Sequence, residues 1–108
     1  MRVADTILEQ LGGGRFAAMT GSRNFVSDGN TLRMSLAKNA SKANKLYITL
    51  EADDTYTMRF FRYTAPKFNS RTISFTDEKI TEIKSYSGVY FDMLQDLFTE
   101  VTGLYTRL

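Results

Sequence analysis

The sequence predicts an α+β domain: an antiparallel sheet of about five to six strands with a short N-terminal helix and a longer C-terminal helix. Three observations predict it. Apolar residues recur with helical spacing at both ends, Val3, Ile7, Leu8 and Leu11 first, then Tyr90, Leu94, Leu97, Phe98 and Val101. Between them lie runs that alternate apolar and polar, separated by turn signals such as Asp28-Gly29 and Asp53-Asp54. The 108 residues are 43% hydrophobic and show no repeat or low-complexity linker, which suits a single domain over 1–108 with a core that needs no staples.

The elements follow in order. A helix spans 3–11 and stops at "GGG", 12–14, because glycine tolerates the left-handed C-terminal conformation. "RFAAMT", 15–20, reads as a strand. In "SRNFVSDGNTLRMSL" a two-residue turn at Asp28-Gly29 sets Phe25 opposite Leu32 and Arg23 opposite Met34, so that Phe25, Leu32, Met34 and Leu36 share a face. For the second hairpin, a two-residue turn at Asp53-Asp54 would mix faces. A three-residue loop at 52–54 instead pairs Leu50 with Tyr56, Ile48 with Met58 and Leu46 with Phe60, all on one face, and this register is preferred. "RTISF", 71–75, and "ITEIKSY", 80–86, read as two more strands, paired through either Phe75–Ile80 or Ile73–Ile83. The C-terminal helix takes Ser87 or Gly88 as its N-cap and closes at Gly103, with Leu104 packing back toward Phe98 and Asp92 and Asp96 on the far side.

Composition removes most enzyme chemistry. With no Cys and no His, disulfides, thiol nucleophiles, imidazole bases and Cys/His zinc sites are excluded, and no convergent carboxylate pair is legible. The expectation is a protein that is not an enzyme and takes no cofactor or metal. "EADD" and the stripe Asp92, Asp96, Glu100 lack calcium-loop spacing, and "LGGGR" lacks the Walker spacing with its Lys-Ser/Thr. No apolar run approaches the roughly 18 residues of a membrane span, and "MRVADTILEQ" does not read as a signal peptide, so no membrane partner is expected and the location is the cytoplasm of a host cell.

The net charge is +2, but its distribution says more. Residues 15–50 carry six Lys or Arg and one acid, Asp28; residues 55–75 carry Arg59, Arg62, Lys67 and Arg71 with no acid. In the preferred register the back of the second hairpin interleaves cations with rings: Lys45, Tyr47, Arg59, Phe61 and, if the strand continues, Tyr63. Rings stack on bases and cations hold phosphates, which makes these residues the candidate nucleic-acid or partner site. The plainer reading is a second buried sheet face under a helix. Lys38 and Lys42 of "KNASKANK" are further phosphate-contact candidates. Their plainer reading is a polar connection whose lysines discourage edge pairing. "MRFFRY" lacks the glycines of the RNA-recognition signature.

Three stretches, "FAAMTGSRNFV" (16–26), "LAKNASKANKLYITLEADDTYTMRF" (36–60) and "YFDMLQDLFTEVTGLYTRL" (90–108), resemble a family of small, mostly uncharacterised proteins of bacteriophages and other mobile elements of gut and Gram-positive bacteria. The resemblance covers about half the chain, in matching order. It implies phage or prophage origin and carries over no catalytic or binding residues. The chain departs from the family pattern at Ala37-Lys38, where a proline or arginine is expected, so the basic loop is not assured as a family trait.

Three roles remain: an accessory protein that binds nucleic acid through the basic-aromatic face, a protein-binding inhibitor of host defence (anti-CRISPR-like), or a self-assembling structural or morphogenetic component. The third would pair copies through an exposed strand edge at "RTISF" or "FAAMT" as a homo-oligomer.

Overall fold

The structure, a computed structural model, describes residues 2–75 and 77–106; of Phe75 only the backbone is described. Met1, Thr76, Arg107 and Leu108, which end or interrupt several of the stretches read above, lie outside the described residues. Helices α1 (Val3–Leu11) and α2 (Gly13–Thr20) lead into strands β1 (Arg23–Asp28), β2 (Thr31–Ser35), β3 (Lys45–Leu50) and β4 (Tyr56–Thr64). A small hairpin of β5 (Phe68–Asn69) and β6 (Ser74–Phe75) follows, then β7 (Lys79–Val89), a single 3₁₀ turn at Phe91–Met93 and α3 (Leu94–Thr102). The main sheet is five-stranded and antiparallel, in the order β1-β2-β3-β4-β7. The fold is α+β, as the two helical stripes and the alternating runs predict.

The core lies on one face of this sheet. Ile7 and Leu11 of α1, Phe16 of α2 and Leu94 and Phe98 of α3 form one buried cluster with Leu32, Met34, Leu46, Ile48, Met58 and Phe60. The Phe98 ring meets Phe16 edge-on at 4.9 Å and lies 6.4 Å from Phe60, joining α2 and α3 to the sheet. Tyr56, also buried, donates its hydroxyl to Gln10 Oε1 at 2.7 Å and so ties β4 to α1.

The second hairpin has the register preferred from the sequence: Leu50 pairs with Tyr56, Ile48 with Met58 and Leu46 with Phe60. The Glu51 N–H donates to the Thr55 carbonyl at 2.8 Å, closing a three-residue loop in which Asp54 takes φ 66°.

The first hairpin is displaced by one residue from expectation. Asp28 pairs with Thr31, so the turn is Gly29-Asn30, with a positive φ (59°) at its first position as in a type II′ turn. Moving the turn by one position changes each cross-strand partner by two residues, so parity is kept: Ser27 pairs with Leu32, and Phe25 stays on the core side with Met34. Between the pairs Arg23–Ser35 and Val26–Arg33 two residues of β1 oppose Met34 alone, with Asn24 at φ 58°, and this bulge sets Arg23 opposite Ser35 where an unbroken ladder would set it opposite Leu36. Phe25 packs on the core beside buried Leu32, Met34 and Leu36.

Further expectations are corrected. "RFAAMT" is helix: Gly12 caps α1, and Gly13 and Gly14 open α2, whose weak local propensity is overridden by burying Phe16. "RTISF" contributes only Ser74–Phe75 to a strand, and it pairs with Phe68–Asn69, not with 80–86. The 80–86 segment lies within the longer β7, which pairs with β4, so neither register considered for Phe75–Ile80 or Ile73–Ile83 occurs. The edges of the main sheet are thus β1 and β7, and neither segment named for self-pairing supplies one. The C-terminal helix begins later than expected, because Val89 stays in the sheet opposite Tyr56; Ser87 and Gly88 lie in β7, and Tyr90 is exposed. Gly103 closes α3 at φ 75°, and Leu104 packs against the core.

Candidate nucleic-acid interface

All three helices bury their apolar faces on the same side of the sheet, which leaves the other side without a helical layer. On that outer face the antiparallel registers align residues into rows across the strands. One row reads Val26, Arg33, Tyr47, Arg59, Ser85; the next reads Arg23, Ser35, Lys45, Phe61, Glu82. Period-two alternation puts these residues there because their neighbours Leu32, Met34, Leu46, Ile48, Met58 and Phe60 are committed to the core.

Lys45, Tyr47, Arg59, Phe61 and Tyr63 come together as expected. With Ile80 they line a depression of about 350 Å³. Their exposures differ, and that changes their roles. Phe61 is only 5% exposed and stands outside the main core cluster. The Tyr47 ring meets it edge-on at 4.8 Å, and the Arg59 guanidinium carbon lies 5.9 Å from its centroid. Phe61 is therefore the floor of the depression, while half-buried Tyr47 and Tyr63 are the rings that reach solvent. The Tyr63 hydroxyl donates to Glu78 Oε2 at 3.0 Å, and this hydrogen bond to a carboxylate, with its charge, raises the phenol's pKa.

Alternation of Leu32 and Met34 already puts Arg33 on the outer face, but the sequence reading did not place β2 beside β3, and Arg33 was missed. Its guanidinium carbon lies 5.6 Å from the Tyr47 centroid, while Arg59, which pairs with Tyr47 from the other neighbouring strand, turns its guanidinium to Phe61. Interaction with Tyr47 first, and with Asp28 at 3.7 Å next, holds Arg33 more firmly charged against its partial desolvation. Its Nε is buried without a hydrogen-bond partner. Arg59 is held by Glu82 at 3.4 Å, a half-exposed pair of small energetic worth. The Lys45 ammonium donates to Ser35 Oγ at 2.8 Å. A second depression, of about 260 Å³, adjoins the first and is lined by Asn24, Val26, Arg33, Ser35, Lys45 and Tyr47 among others.

Lys38 and Lys42 do not line either depression. Their loop is internally bonded. The Asn39 amide donates to the carbonyls of Ala37 (2.7 Å) and Ala43 (2.8 Å), and its Oδ1 accepts from the Ser41 N–H at 3.0 Å. Asn44 bridges to β4, donating to the Tyr63 carbonyl at 2.8 Å and accepting the Tyr63 N–H at 2.7 Å. The Lys42 carbonyl accepts from Arg62 Nη1 at 2.9 Å, so this residue's backbone braces β4 while its side chain is exposed. The small polar residues between the lysines build the loop.

Among the described residues no three carboxylates converge into a group able to hold a cation, and no helix is long and apolar enough to cross a membrane. Comparison with protein-family models, curated proteins and solved structures finds no match to this chain.

Proposed function

We propose that this chain is a small, non-enzymatic accessory protein of a bacteriophage or other mobile element, acting in the host cytoplasm by binding nucleic acid through the outer sheet face. The observation that carries the reading is Tyr47 set between Arg33 and Arg59 in one row across three adjacent strands, above a depression floored by Phe61. Rings supply sequence-tolerant stacking, and fixed cations beside them supply phosphate contacts. The phage assignment rests on the resemblance of the three stretches quoted above. Lys38 and Lys42 contribute only long-range attraction from the loop.

Fluorescence anisotropy at low salt with labelled DNA and RNA tests the reading. Binding is expected to weaken linearly in log–log against salt, and Arg59→Glu, which removes a cation and sets two carboxylates side by side, is expected to weaken it by about tenfold or more. No affinity for any nucleic acid at low salt ends the proposal.

One observation favours a protein-binding inhibitor as the second reading. Tyr90, Phe91 and Met93 are exposed together at the junction of β7 and α3, Phe91 by 62%. In that case Phe91→Asp would abolish a host partner's binding and Arg59→Glu would not.

A further inference from the structure

The two adjoining depressions differ in chemistry, and the difference specifies a ligand. The first has an aromatic floor, Phe61, with Tyr47, Tyr63 and Ile80 around it. It offers flat apolar surface of the kind that receives a ring. The second is lined by donors: the Arg33 guanidinium, the Lys45 ammonium and the Asn24 amide, with the Ser35 hydroxyl between Lys45 and Asn24 at 2.8 and 3.4 Å. Among the described residues no carboxylate lines this second depression, and Asp28 reaches Arg33 from outside it at 3.7 Å. It offers positive charge and hydrogen-bond donors, the complement of a phosphate. Lys45 and Tyr47 belong to both, and the two halves are centred about two strand spacings, ~10 Å, apart.

Resting on the nucleic-acid reading above, we propose that the two depressions are the base and phosphate halves of one nucleotide subsite, and that the ligand is an unpaired strand, DNA or RNA, crossing the sheet from β4 toward β1. Glu82 sets the direction. Its carboxylate lies on the β7 side of Phe61 and repels a phosphate there, so the sugar–phosphate backbone runs on the β1–β2 side. Arg23 extends the cations Lys45 and Arg33 to the β1 edge, more charge than one phosphate requires, which favours a strand over a free nucleotide. A duplex does not fit. Its bases are paired and stacked, so it offers phosphates and groove edges but no free ring face for the aromatic half. Arg33 and Lys45 stand beside Tyr47, so their charges lie next to a ring face that only an unpaired base can use.

The test uses the full chain with oligothymidylate, oligouridylate, an abasic strand of the same length, a matched duplex and a mononucleotide. Both oligomers are expected to bind more tightly than the duplex, the abasic strand and the mononucleotide. Arg33→Gln should weaken intact and abasic strands alike, by about three- to tenfold, and reduce the log–log salt slope by about 0.7. Tyr63→Leu, at a ring that lines the first depression and not the second, should weaken intact strands by about fivefold or more and leave the abasic strand unchanged. An unaltered thermal melt for each variant shows that the sheet is intact. If the duplex, the abasic strand or the mononucleotide binds as tightly as the oligomers, nucleic-acid binding stands and the base–phosphate subsite falls. If no nucleic acid binds at all, the functional reading falls first. Preference for thymidylate or for uridylate assigns DNA or RNA, and either outcome supports the subsite.

Discussion

Asp53 shows how one residue sets a register. Its Oδ1 accepts from the Thr55 N–H at 3.1 Å and from the Thr55 hydroxyl at 2.6 Å, fixing the loop that brings Leu50 opposite Tyr56. The Thr55 hydroxyl first, then its N–H, holds the Asp53 carboxyl below the usual aspartate range. Because the folded pKa lies below the unfolded one, this contribution is present above the ordinary aspartate range and is lost as pH falls through the folded value. Denaturant midpoints of the wild type should therefore drop on the acid side, and in Asp53→Asn that part of the drop should vanish. An identical acid limb in the variant would remove Asp53 from the account. The Asp-Asp signal was legible at this scale, and so was the loop length, because only one length keeps three apolar pairs on a single face. Arg33 was not legible as a site residue: its face follows from its neighbours, but its value depends on which strand lies beside β2.

At the scale of the elements, two glycines close helices in the left-handed region and differ in their surroundings. Gly103, at φ 75°, ends α3 where an added Cβ would meet Ala40 Cβ at an ordinary 3.6 Å. Gly21, at φ 70°, ends α2 where the added Cβ would come within 3.0 Å of Ala37 Cβ. Gly103→Ala should cost about 1–2 kcal/mol from the backbone conformation alone. Gly21→Ala should cost more, since a methyl must also be displaced. Chemical denaturation of the pair checks the order, and equal midpoints would show that the Ala37 contact yields freely. The stop at Gly103 was legible because a clear apolar stripe precedes it. The helix ending at Gly21 was not, since "GGGRFAAMT" has neither good helix formers in its first turn nor a long apolar period. It is helical because Phe16 fills the space between Phe98 and Phe25.

The whole molecule is elongated, 50 × 32 × 23 Å. The cause is the β4–β7 ribbon. β3 stops at Lys45 opposite Phe61, whereas β4 and β7 continue pairing through Thr64 and Lys79 and carry the β5–β6 hairpin beyond. None of the described side chains of this hairpin joins the core, and Ile73 at its tip is 81% exposed with φ 51°, for which nothing in the structure gives a reason. Replacing residues 65–78 by Asn-Gly, a turn suited to the antiparallel pair Thr64–Lys79, should therefore leave the circular dichroism spectrum and Tm nearly unchanged. A Tm lowered by more than about 5 °C, which corresponds to roughly 1 kcal/mol in a domain of this size, would place the arm within the cooperative fold. The arm escaped the sequence reading because "RTISF" and "ITEIKSY" look like partners for each other. Their true partners, Phe68–Asn69 and β4, are a two-residue strand with no periodicity and a long-range pairing.

By itself the sequence determined which side chains of the second hairpin face the core, where α1 runs and where α3 ends, and that Lys45, Tyr47, Arg59, Phe61 and Tyr63 lie together behind that hairpin. Alternation and helical period are local, and burial of one face admits few registers. Only the tertiary structure decided what lies behind that face and who neighbours whom. All three helices pack on one side, so the basic-aromatic side has no helical layer over it. Phe61 becomes a floor, and β2 brings Arg33 to Tyr47. Strand order and layer coverage depend on contacts distant in the chain, which no local pattern encodes.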